Sequence, residues 1–293
     1  MLNKKVLILG ANGMLGKDMV QTFYENGFRN IYYSISKSNI YCKNKFSFAQ
    51  KILLKIDKKI DSKLEKLSKY KFDIIINCIG VVKPRIIENN SDSVYKAILV
   101  NSIFPHLLRK NFPRIKIYQI ATDCVFSGNK GKYDEDSIHD AEDVYGKSKS
   151  LGEVRSNNFF NLRCSIIGRE INNQYSLVEW LLSQKNNNLK GFNNHNWNGV
   201  STIVFSNILC TIIKHKINIP NILHIIPKNI INKYTLLKLL NTKFENNNII
   251  ESFTSANKID RSLNTKYLKL NDKIWKKSMF KKRLMIKEII NFI

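Results

Sequence analysis

The sequence is poor in the residues that define several classes of protein. Its 293 residues include five cysteines, five prolines and six alanines, and only 23 acidic residues stand against 48 lysines and arginines. The cysteines are odd in number, widely spaced and without a CxxC pair, which argues against a disulfide framework or a zinc site and predicts reduced, buried thiols. No apolar run reaches the roughly 18 residues of a membrane span. With no signal-peptide pattern at the start, these absences predict a cytoplasmic protein.

The excess of positive charge has a compositional explanation. The formal net charge is +25, yet the lysines are spread from Lys4 to Lys287 and form no recognisable nucleic-acid-binding motif. The chain also contains 37 Asn, 41 Ile and 39 Lys, which together are what an AT-biased coding sequence produces. Nucleic acid is therefore not predicted as a partner. With 43% hydrophobic residues, the chain has enough apolar surface for a sizeable core.

Strand-like and helix-like segments alternate along the first half of the chain. The predicted strands are Lys5–Leu9, Ile31–Ser36, Phe72–Cys78, Ile115–Ala121 and Phe159–Ser165, and the predicted helices are 14–26, 61–69, 92–110 and 143–156. This alternation predicts an α/β fold with a doubly wound parallel sheet of the Rossmann type. We expect residues 1–165 with roughly 198–228 to form a dinucleotide-binding domain. Residues 166–197 with 229–293 should form a smaller substrate lobe.

A glycine-rich motif lies between the first strand and the first helix. It contains Gly10, Gly13 and Gly16 at the spacing of a dinucleotide fingerprint, with Asn12, Met14 and Leu15 between the glycines. Gly10 would make the tight turn, Gly13 would admit a pyrophosphate, and Gly16 would allow close packing of helix on strand. The helix N-terminus would supply N–H donors to the phosphates. The motif predicts that these residues bind a nicotinamide dinucleotide.

The end of the second strand lacks the acidic residue that binds an adenosine ribose. Ser36 and Lys37 stand there, and a hydroxyl beside a cation suits a 2′-phosphate better than a ribose diol. NADPH is therefore predicted as the cofactor, with NADH as the alternative.

Tyr145 and Lys149 are spaced to share one face of a predicted helix. A phenol is a poor proton donor and acceptor at neutral pH unless a nearby cation stabilises its phenolate, and Lys149 would supply that cation. Thr122 follows an apolar strand, at the sheet edge where α/β enzymes place their chemistry. These three residues are the predicted catalytic group: Tyr145 would protonate a carbonyl oxygen while a hydride adds to its carbon.

The motifs together resemble those of extended short-chain dehydrogenases/reductases, and within them the dTDP-4-dehydrorhamnose reductase-like group. The resemblance is carried by GANGMLG, NCIGVVKP, NSIFPHLL, ATDCVFSG, YGKSKSLGE, RCSIIGRE, NGVST and DRSLNT, in the order of the family. It implies a Thr–Tyr–Lys active site at Thr122, Tyr145 and Lys149. It also implies a cofactor-side loop at Cys78, Ile79 and Gly80, and support of the active-site helix by Asn101. Substrate contacts implied by the resemblance are Lys83, Asp123, Val125, Thr202 and Arg261.

The resemblance implies an NAD(P)H-dependent reductase of a 4-keto-6-deoxy nucleotide sugar, acting in polysaccharide precursor synthesis. Cys124 and Ile166 stand where rhamnose reductases usually carry aromatic residues, which leaves the hexose open. An epimerase of the same superfamily and a non-catalytic regulatory subunit with this fold are the alternatives. A nucleotide sugar is the predicted partner, a homodimer is a further prediction, and no metal site is expected because the five histidines form no HxH or HxxxH pair.

Overall fold

The computed structural model of the chain describes residues 2–37, 40–171 and 176–293. The strands are β1 (Val6–Leu9), β2 (Ile31–Ile35), β3 (Gln50–Leu53), β4 (Ile74–Asn77), β5 (Lys116–Thr122), β6 (Phe159–Cys164), β7 (Ile166–Ile167), β8 (Asn188–Phe192), β9 (His195–Trp197), β10 (Val200–Ser201), β11 (Ile222–His224), β12 (Ile231–Asn232), β13 (Ile249–Phe253) and β14 (Ile259–Asp260). The α-helices are α1 (Met14–Glu25), α2 (Ile40–Lys45), α3 (Ile60–Ser68), α4 (Ser91–Ala97), α5 (Phe104–Asn111), α6 (Val144–Leu151), α7 (Leu177–Ser183), α8 (Thr202–Lys214), α9 (Lys233–Lys243), α10 (Leu268–Lys277) and α11 (Ile286–Ile289).

Seven strands form one parallel sheet in the order β11-β6-β5-β4-β1-β2-β3. The predicted α/β doubly wound fold is thereby confirmed. The chain runs outward in one direction through β2 and β3 and in the other through β5 and β6, so the strand order reverses between β1 and β4. In open α/β sheets the ligand crevice lies at such a switch point, outside the carboxyl ends of the strands.

The sheet is covered by helices on both faces, which explains its apolar strands. Every residue of β1 and of β4 is buried, as expected for central strands with helices above and below. One core joins the sheet to α1, α8 and the α10 residues Ile274 and Trp275. The other joins it to α3 and α5. The apolar run in α8 is thus core, and its residues 204–213 are all buried.

The observed elements agree with the predicted ones to within about two residues for the central strands. Two elements before residue 165 were not predicted: β3, an edge strand whose residues are mostly exposed, and the short helix α2. Gln50–Leu53 has no apolar alternation because only one neighbouring strand and little core lie against it. Among the helices in the described ranges, none is long and apolar enough to cross a membrane.

Beyond residue 165 the chain forms small sheets, β7 with β10, β12-β9-β14, and β8 with β13. They surround a separate core that includes residues of α7, α9 and α11. Residues 198–228 return to the main sheet, where they provide α8 and β11. The division of the chain into two domains at the predicted boundaries stays a prediction.

Candidate functional site

The glycine turn between β1 and α1 is packed too tightly for side chains. Gly10 has a φ of +85°, and a Cβ on Gly16 would lie 2.1 Å from the carbonyl oxygen of Gly10. The backbone N–H of Gly10 donates to Ser34 Oγ at 3.1 Å, which fixes the turn against β2. Gly13 is exposed and Asn12 and Met14 are half-buried, whereas the Leu15 side chain belongs to the core. The first-turn N–H groups of α1 have no partner within the helix and are available to an anion.

The loop after β4 lies between the glycine turn and the helix α6. A Cβ on Gly10 would lie 2.8 Å from Cγ1 of Ile79, and a Cβ on Gly80 would lie 4.0 Å from Nζ of Lys149. Burial raises the pKa of the Cys78 thiol to about 12, with Lys149 opposing the rise. The structure therefore brings the predicted residues Cys78, Ile79 and Gly80 beside both the glycine turn and Lys149.

Asn101 holds this loop to α6. It lies in the π-helical segment Ile98–Ile103 between α4 and α5, where one turn is wider than in an α-helix. Its Oδ1 accepts from the N–H of Val81 at 2.8 Å, and its Nδ2 donates to the Val81 carbonyl at 3.0 Å and to Ser148 Oγ at 3.1 Å. The amide is buried and joins the loop at Val81 to α6. Asn101 would therefore affect cofactor binding by holding this loop in place, without contacting the cofactor.

Thr122 and Tyr145 meet at the carboxyl end of β5. Helix α6 begins after Asp143, whose side chain accepts from the Gly146 N–H at 2.8 Å and so caps the helix. A Cβ on Gly146 would lie 2.4 Å from the Cys124 carbonyl, so this glycine lets α6 approach the turn that follows Thr122. Burial raises the pKa of Tyr145, while a hydrogen bond with the Thr122 side chain acts in the opposite direction. The half-buried phenol is consequently protonated at neutral pH.

Lys149 lies one turn after Tyr145 on α6 and is 8% exposed. Its Nζ donates to the Ile120 carbonyl at 2.8 Å. Burial lowers its pKa to about 8, and Glu153 together with Cys164, Cys124 and Cys78 limits the fall. Most Lys149 side chains are therefore still charged at neutral pH. Thr122, Tyr145 and Lys149 come together at the switch-point side of the sheet, as the sequence predicts.

Asp123 is a buried carboxyl group directly beside these three residues. It is 7% exposed, and its Oδ1 accepts from Thr122 Oγ1 at 3.1 Å. Ser165 donates a second side-chain hydrogen bond to Asp123, and Ser165 Oγ accepts from Trp197 Nε1 at 2.8 Å. Burial raises the pKa of Asp123, and the nearby cations Lys233 and Arg261 oppose that rise.

Lys233 is a site residue that the sequence analysis missed. It is the first residue of α9, and its Nζ lies 5.4 Å from the ring centroid of Trp197. Burial lowers the pKa of Lys233, and the positive charge of Arg261 lowers it further. Asp123 and Cys124 act in the opposite direction. A signal was present in the sequence, since Asn232 caps the helix and a cation in the first turn opposes the helix dipole.

Arg261 is the second cation that lowers the pKa of Asp123. Its Nε donates to the Phe126 carbonyl at 2.8 Å, which fixes the guanidinium next to the turn 123–125. Lys83 is farther out: its side chain is 55% exposed and its Nζ forms an ion pair with Asp143 Oδ2 at 2.8 Å. Arg261 is thus near Asp123, whereas Lys83 is joined to the cap of α6.

Two predicted substrate contacts have side chains that a ligand does not reach in this structure. Val125 is fully buried in a cluster with Phe126 and Tyr133. Thr202 is 1% exposed, and its Oγ1 lies 2.4 Å from where a Cβ on Gly168 would be. Either residue could therefore contact a substrate only through its backbone atoms. Ser36 and Lys37 are exposed directly after β2, at the edge where the sequence places the adenosine end of a cofactor.

Arg163 forms a second ionic cluster behind the site, away from solvent. Its guanidinium binds Glu153 at 3.0 Å (Nε to Oε1) and 2.6 Å (Nη2 to Oε2), and donates to Nε2 of His224 at 2.6 Å and of His139 at 2.8 Å. The Nδ1–H of His224 donates to the Asn264 carbonyl at 2.7 Å. Burial and Arg163 lower the pKa of His224 to about 4, so this imidazole is neutral. The cluster braces the end of β6.

The five cysteines form no disulfide in the described chain, and three of them, Cys42, Cys164 and Cys210, are buried. Cys78 and Cys124 are half-buried near Lys149 and Tyr145. Across residues 2–37, 40–171 and 176–293, no three His, Cys, Asp or Glu side chains gather as metal ligands.

Solved structures and curated proteins resemble this chain in different ways. The dTDP-4-dehydrorhamnose reductase of Bacillus anthracis, solved in complex with NADP, superposes with a TM-score of 0.76 at 18% identity, over 99% of this chain and 98% of that one. Methionine adenosyltransferase 2 subunit beta of Xenopus laevis is 29% identical over 155 residues, which are 52% of this chain and 42% of that protein. The spore coat polysaccharide biosynthesis protein SpsK of Bacillus subtilis (strain 168) is 29% identical over 152 residues, 51% of this chain and 47% of that protein. The matched segments thus span less than half the length of these curated relatives.

The family model described as the RmlD substrate binding domain matches residues 4–290, almost the whole chain. The glycine turn, the Thr122–Tyr145 contact and the buried Lys149 all lie within that match. The chain belongs to the RmlD substrate binding domain family.

Proposed function

We propose that this protein is an NAD(P)H-dependent reductase of a 4-keto-6-deoxy nucleotide sugar, acting in the cytoplasm in polysaccharide precursor synthesis. The observation that carries the proposal is the hydrogen-bonded contact of Thr122 with Tyr145, next to the buried ammonium of Lys149 and the Gly80 loop. The similarity to SpsK, named for spore coat polysaccharide biosynthesis, supports the proposed setting.

The residues around the switch point fit a dinucleotide. Gly10 and Gly16 leave no room for side chains, and the first turn of α1 offers unpaired N–H groups to a pyrophosphate. Gly13 and Gly80 are exposed and leave the surface open on both sides of the turn. We propose NADPH as the preferred cofactor, with Ser36 and Lys37 facing its 2′-phosphate. NADH remains the alternative.

When bound, the nicotinamide supplies a hydride to the carbonyl carbon of the sugar. The phenol of Tyr145 is protonated at neutral pH because burial raises its pKa, so it can deliver a proton to the new alkoxide. The charge of Lys149 would stabilise the resulting phenolate. Lys149, fixed through the Ile120 carbonyl, also faces the loop at Gly80 where a ribose would lie.

The substrate would enter along the face that holds Asp123 and Arg261. Arg261, whose Nε donates to the Phe126 carbonyl, would meet the anionic diphosphate with the rest of its guanidinium. We keep Asp123, Lys83, Val125 and Thr202 as proposed substrate contacts, the last two through backbone atoms only. The predicted homodimer also remains a proposal.

The test is NADPH oxidation, followed by absorbance, with a panel of 4-keto nucleotide sugars that differ in hexose and base. We expect turnover with at least one 4-keto-6-deoxy sugar, and loss of about 10²-fold or more in Tyr145→Phe with cofactor binding retained. Lack of oxidation across the panel by protein that binds NADPH would overturn the proposal.

The two alternatives are separated by further measurements on the same preparation. An epimerase would interconvert nucleotide sugars without net oxidation of NADPH. The regulatory-subunit alternative is favoured by the similarity to a protein named as subunit beta of methionine adenosyltransferase 2. It predicts no turnover with any sugar and a stable complex with a separate enzyme, whereas Tyr145 and Lys149, both present here, support catalysis.

A further inference from the structure

Helix α10 and the segment after it carry a dense positive charge. Eight of the 20 residues 268–287 are lysine or arginine and one is acidic, whereas the whole chain has 48 lysines and arginines in 293 residues. A biased composition raises the number of lysines everywhere, so it does not account for this local excess. The fold decides whether these charges share one surface.

The lysines of α10 lie on the side of the helix that faces away from the core. The inner side is anchored: Ile274 and Trp275 have no exposed surface, and Asn271 Nδ2 donates to the His224 carbonyl at 2.6 Å. Positions 269, 273 and 276 recur at the i, i+4 and i+7 spacing that places side chains on one side of a helix, opposite to this anchored side. All three are exposed lysines. The core thus fixes α10 with its lysines toward solvent.

Five lysines line one open hollow on this surface. They are Lys269, Lys273, Lys276, Lys277 and Lys281. All five are exposed, and none takes part in the ion pairs or side-chain hydrogen bonds found in residues 2–37, 40–171 and 176–293. Asp272, the acidic residue at the hollow, is already paired with Arg283 at 3.2 Å. Like charges spaced i, i+4 on a helix repel, so this arrangement costs stability unless an anion covers it.

Exposed apolar side chains lie at both ends of α10. Leu268, its first residue, is 44% exposed, and Met279, two residues after its end, is 61% exposed. Apolar side chains gain free energy by entering the interfacial layer of a bilayer, and lysines beside them are attracted to anionic headgroups. Nucleic acid offers phosphates but no such apolar layer, and within the described chain no aromatic ring lines the hollow for base stacking. The combination favours a lipid surface over a nucleic acid.

We propose that the outer side of α10 is a docking surface for anionic membranes. The five lysines meet the phosphate headgroups, and Leu268 and Met279 enter the interfacial layer. A basic cluster of about this size holds a protein at an anionic leaflet because each lysine near the surface adds to the attraction. The chain would bind reversibly at the membrane surface, and this binding is independent of the proposed reductase function.

The first experiment is co-sedimentation of the full chain with vesicles at physiological ionic strength. One set of vesicles is phosphatidylcholine alone, and the other is phosphatidylcholine and phosphatidylglycerol in equal amounts. We expect binding to the second set and binding weaker by about tenfold or more to the first, because only the second has a negative surface potential. Equal binding to both sets, or binding to neither, overturns the proposal.

A charge-matched pair of variants separates this surface from the general positive charge of the chain. One variant replaces four lysines of α10: K269Q, K273Q, K276Q and K277Q. The control replaces four exposed lysines outside this surface: K51Q, K59Q, K66Q and K69Q. We expect the α10 variant to bind anionic vesicles about tenfold or more weakly, and the control to bind within about twofold of wild type. Equal losses in the two variants, which have the same net charge, would overturn the proposal.

Two further measurements test the choice of a lipid surface. Met279→Ser should weaken binding to the anionic vesicles by about threefold. Ile249→Ser, at a position of β13 that is equally exposed at 61%, should leave the binding unchanged. Full binding by Met279→Ser contradicts entry of this side chain into the lipid. Tighter binding of a single-stranded oligonucleotide than of anionic vesicles would assign the surface to nucleic acid and overturn the proposal.

Discussion

Two buried ionic clusters lie at the same edge of the sheet and differ in how well their charges are paired. The guanidinium of Arg163 has no exposed surface. It binds the Glu153 carboxylate through two of its nitrogens and also donates to the imidazoles of His224 and His139. At the candidate site, Lys149 has one hydrogen bond to a carbonyl, and Lys233 has the Trp197 ring and electrostatic neighbours. Both clusters are largely removed from water, yet only the first has most of its charge matched inside the protein.

The difference separates a structural cluster from a chemical one. A buried charge with a full set of partners stabilises one conformation, and removal of one partner leaves the other uncompensated. A buried charge with few partners costs stability and persists where it serves a ligand or a reaction. The pKa values at the candidate site reflect this lack of partners. Burial lowers the pKa of Lys149 and raises that of Asp123, and the neighbouring charges oppose these shifts only in part. Substitutions in the two clusters should therefore have opposite effects on stability.

Substitution of Arg163 should have the largest effect on the free energy of unfolding. Arg163→Met leaves Glu153 as an uncompensated buried carboxylate, so we expect the free energy of unfolding to fall by about 3–5 kcal/mol. The measurement is urea unfolding followed by circular dichroism. Arg169→Met is the matched control: Arg169 pairs with Glu179 at the surface and should cost about 1 kcal/mol or less. Equal losses in the two variants would contradict a structural role for the Arg163 cluster.

The next largest effect is on Lys149. Lys149→Met should lower turnover by about 10²-fold or more and raise the free energy of unfolding at neutral pH. Because the Lys149 pKa is about 8 in the folded chain, below its usual 10.5, the unfolded chain holds the proton more tightly. The stability of the wild type should therefore rise, relative to the variant, as pH increases from about 8 to 10.5. Lys147→Met, at an exposed position of the same helix, should leave both activity and this pH dependence unchanged.

A smaller effect is expected at Asp123. Its folded-state pKa is raised, so protonation favours the folded chain, and the wild type loses stability as pH rises through that pKa. Asp123→Asn removes this loss and should raise the free energy of unfolding at neutral pH, with reduced turnover. Thermal unfolding at mildly acidic and at neutral pH measures it, with the exposed Asp136→Asn as control. If Asp123→Asn destabilises the protein at neutral pH, Asp123 belongs with the structural cluster.

The smallest effect is expected at Lys83. Its ion pair with Asp143 is exposed, so Lys83→Met should change the free energy of unfolding by about 0–1 kcal/mol. A selective increase in the KM for the nucleotide sugar would support the proposed substrate contact. An unchanged KM would leave Lys83 as a residue that only secures the start of α6.

The fold and the meeting of Thr122, Tyr145 and Lys149 at one edge of the sheet were predictable from local patterns. Gly10 to Gly16 lie on one turn, Tyr145 and Lys149 lie four residues apart on one helix, and the central strands are apolar throughout. Lys233 and Trp197 were missed because they reach Asp123 through tertiary packing, more than 70 residues away along the chain. Val125 was selected by resemblance, whereas its orientation depends on the cluster around Phe126, which no local pattern reveals.

The π-helical segment Ile98–Ile103 makes the geometry of the candidate site sensitive to chain length. Its wide turn accommodates one residue more than an α-helix would, and Asn101 faces both the Val81 loop and Ser148 only in that register. A single-residue deletion within the segment would convert it to an ordinary helix and rotate Asn101 by about 100° about the helix axis. Most of the helical hydrogen bonds would survive such a deletion, but the loop at Gly80 would lose its attachment to α6. Homologues that vary in length should therefore tolerate insertions and deletions in the surface loops far better than here.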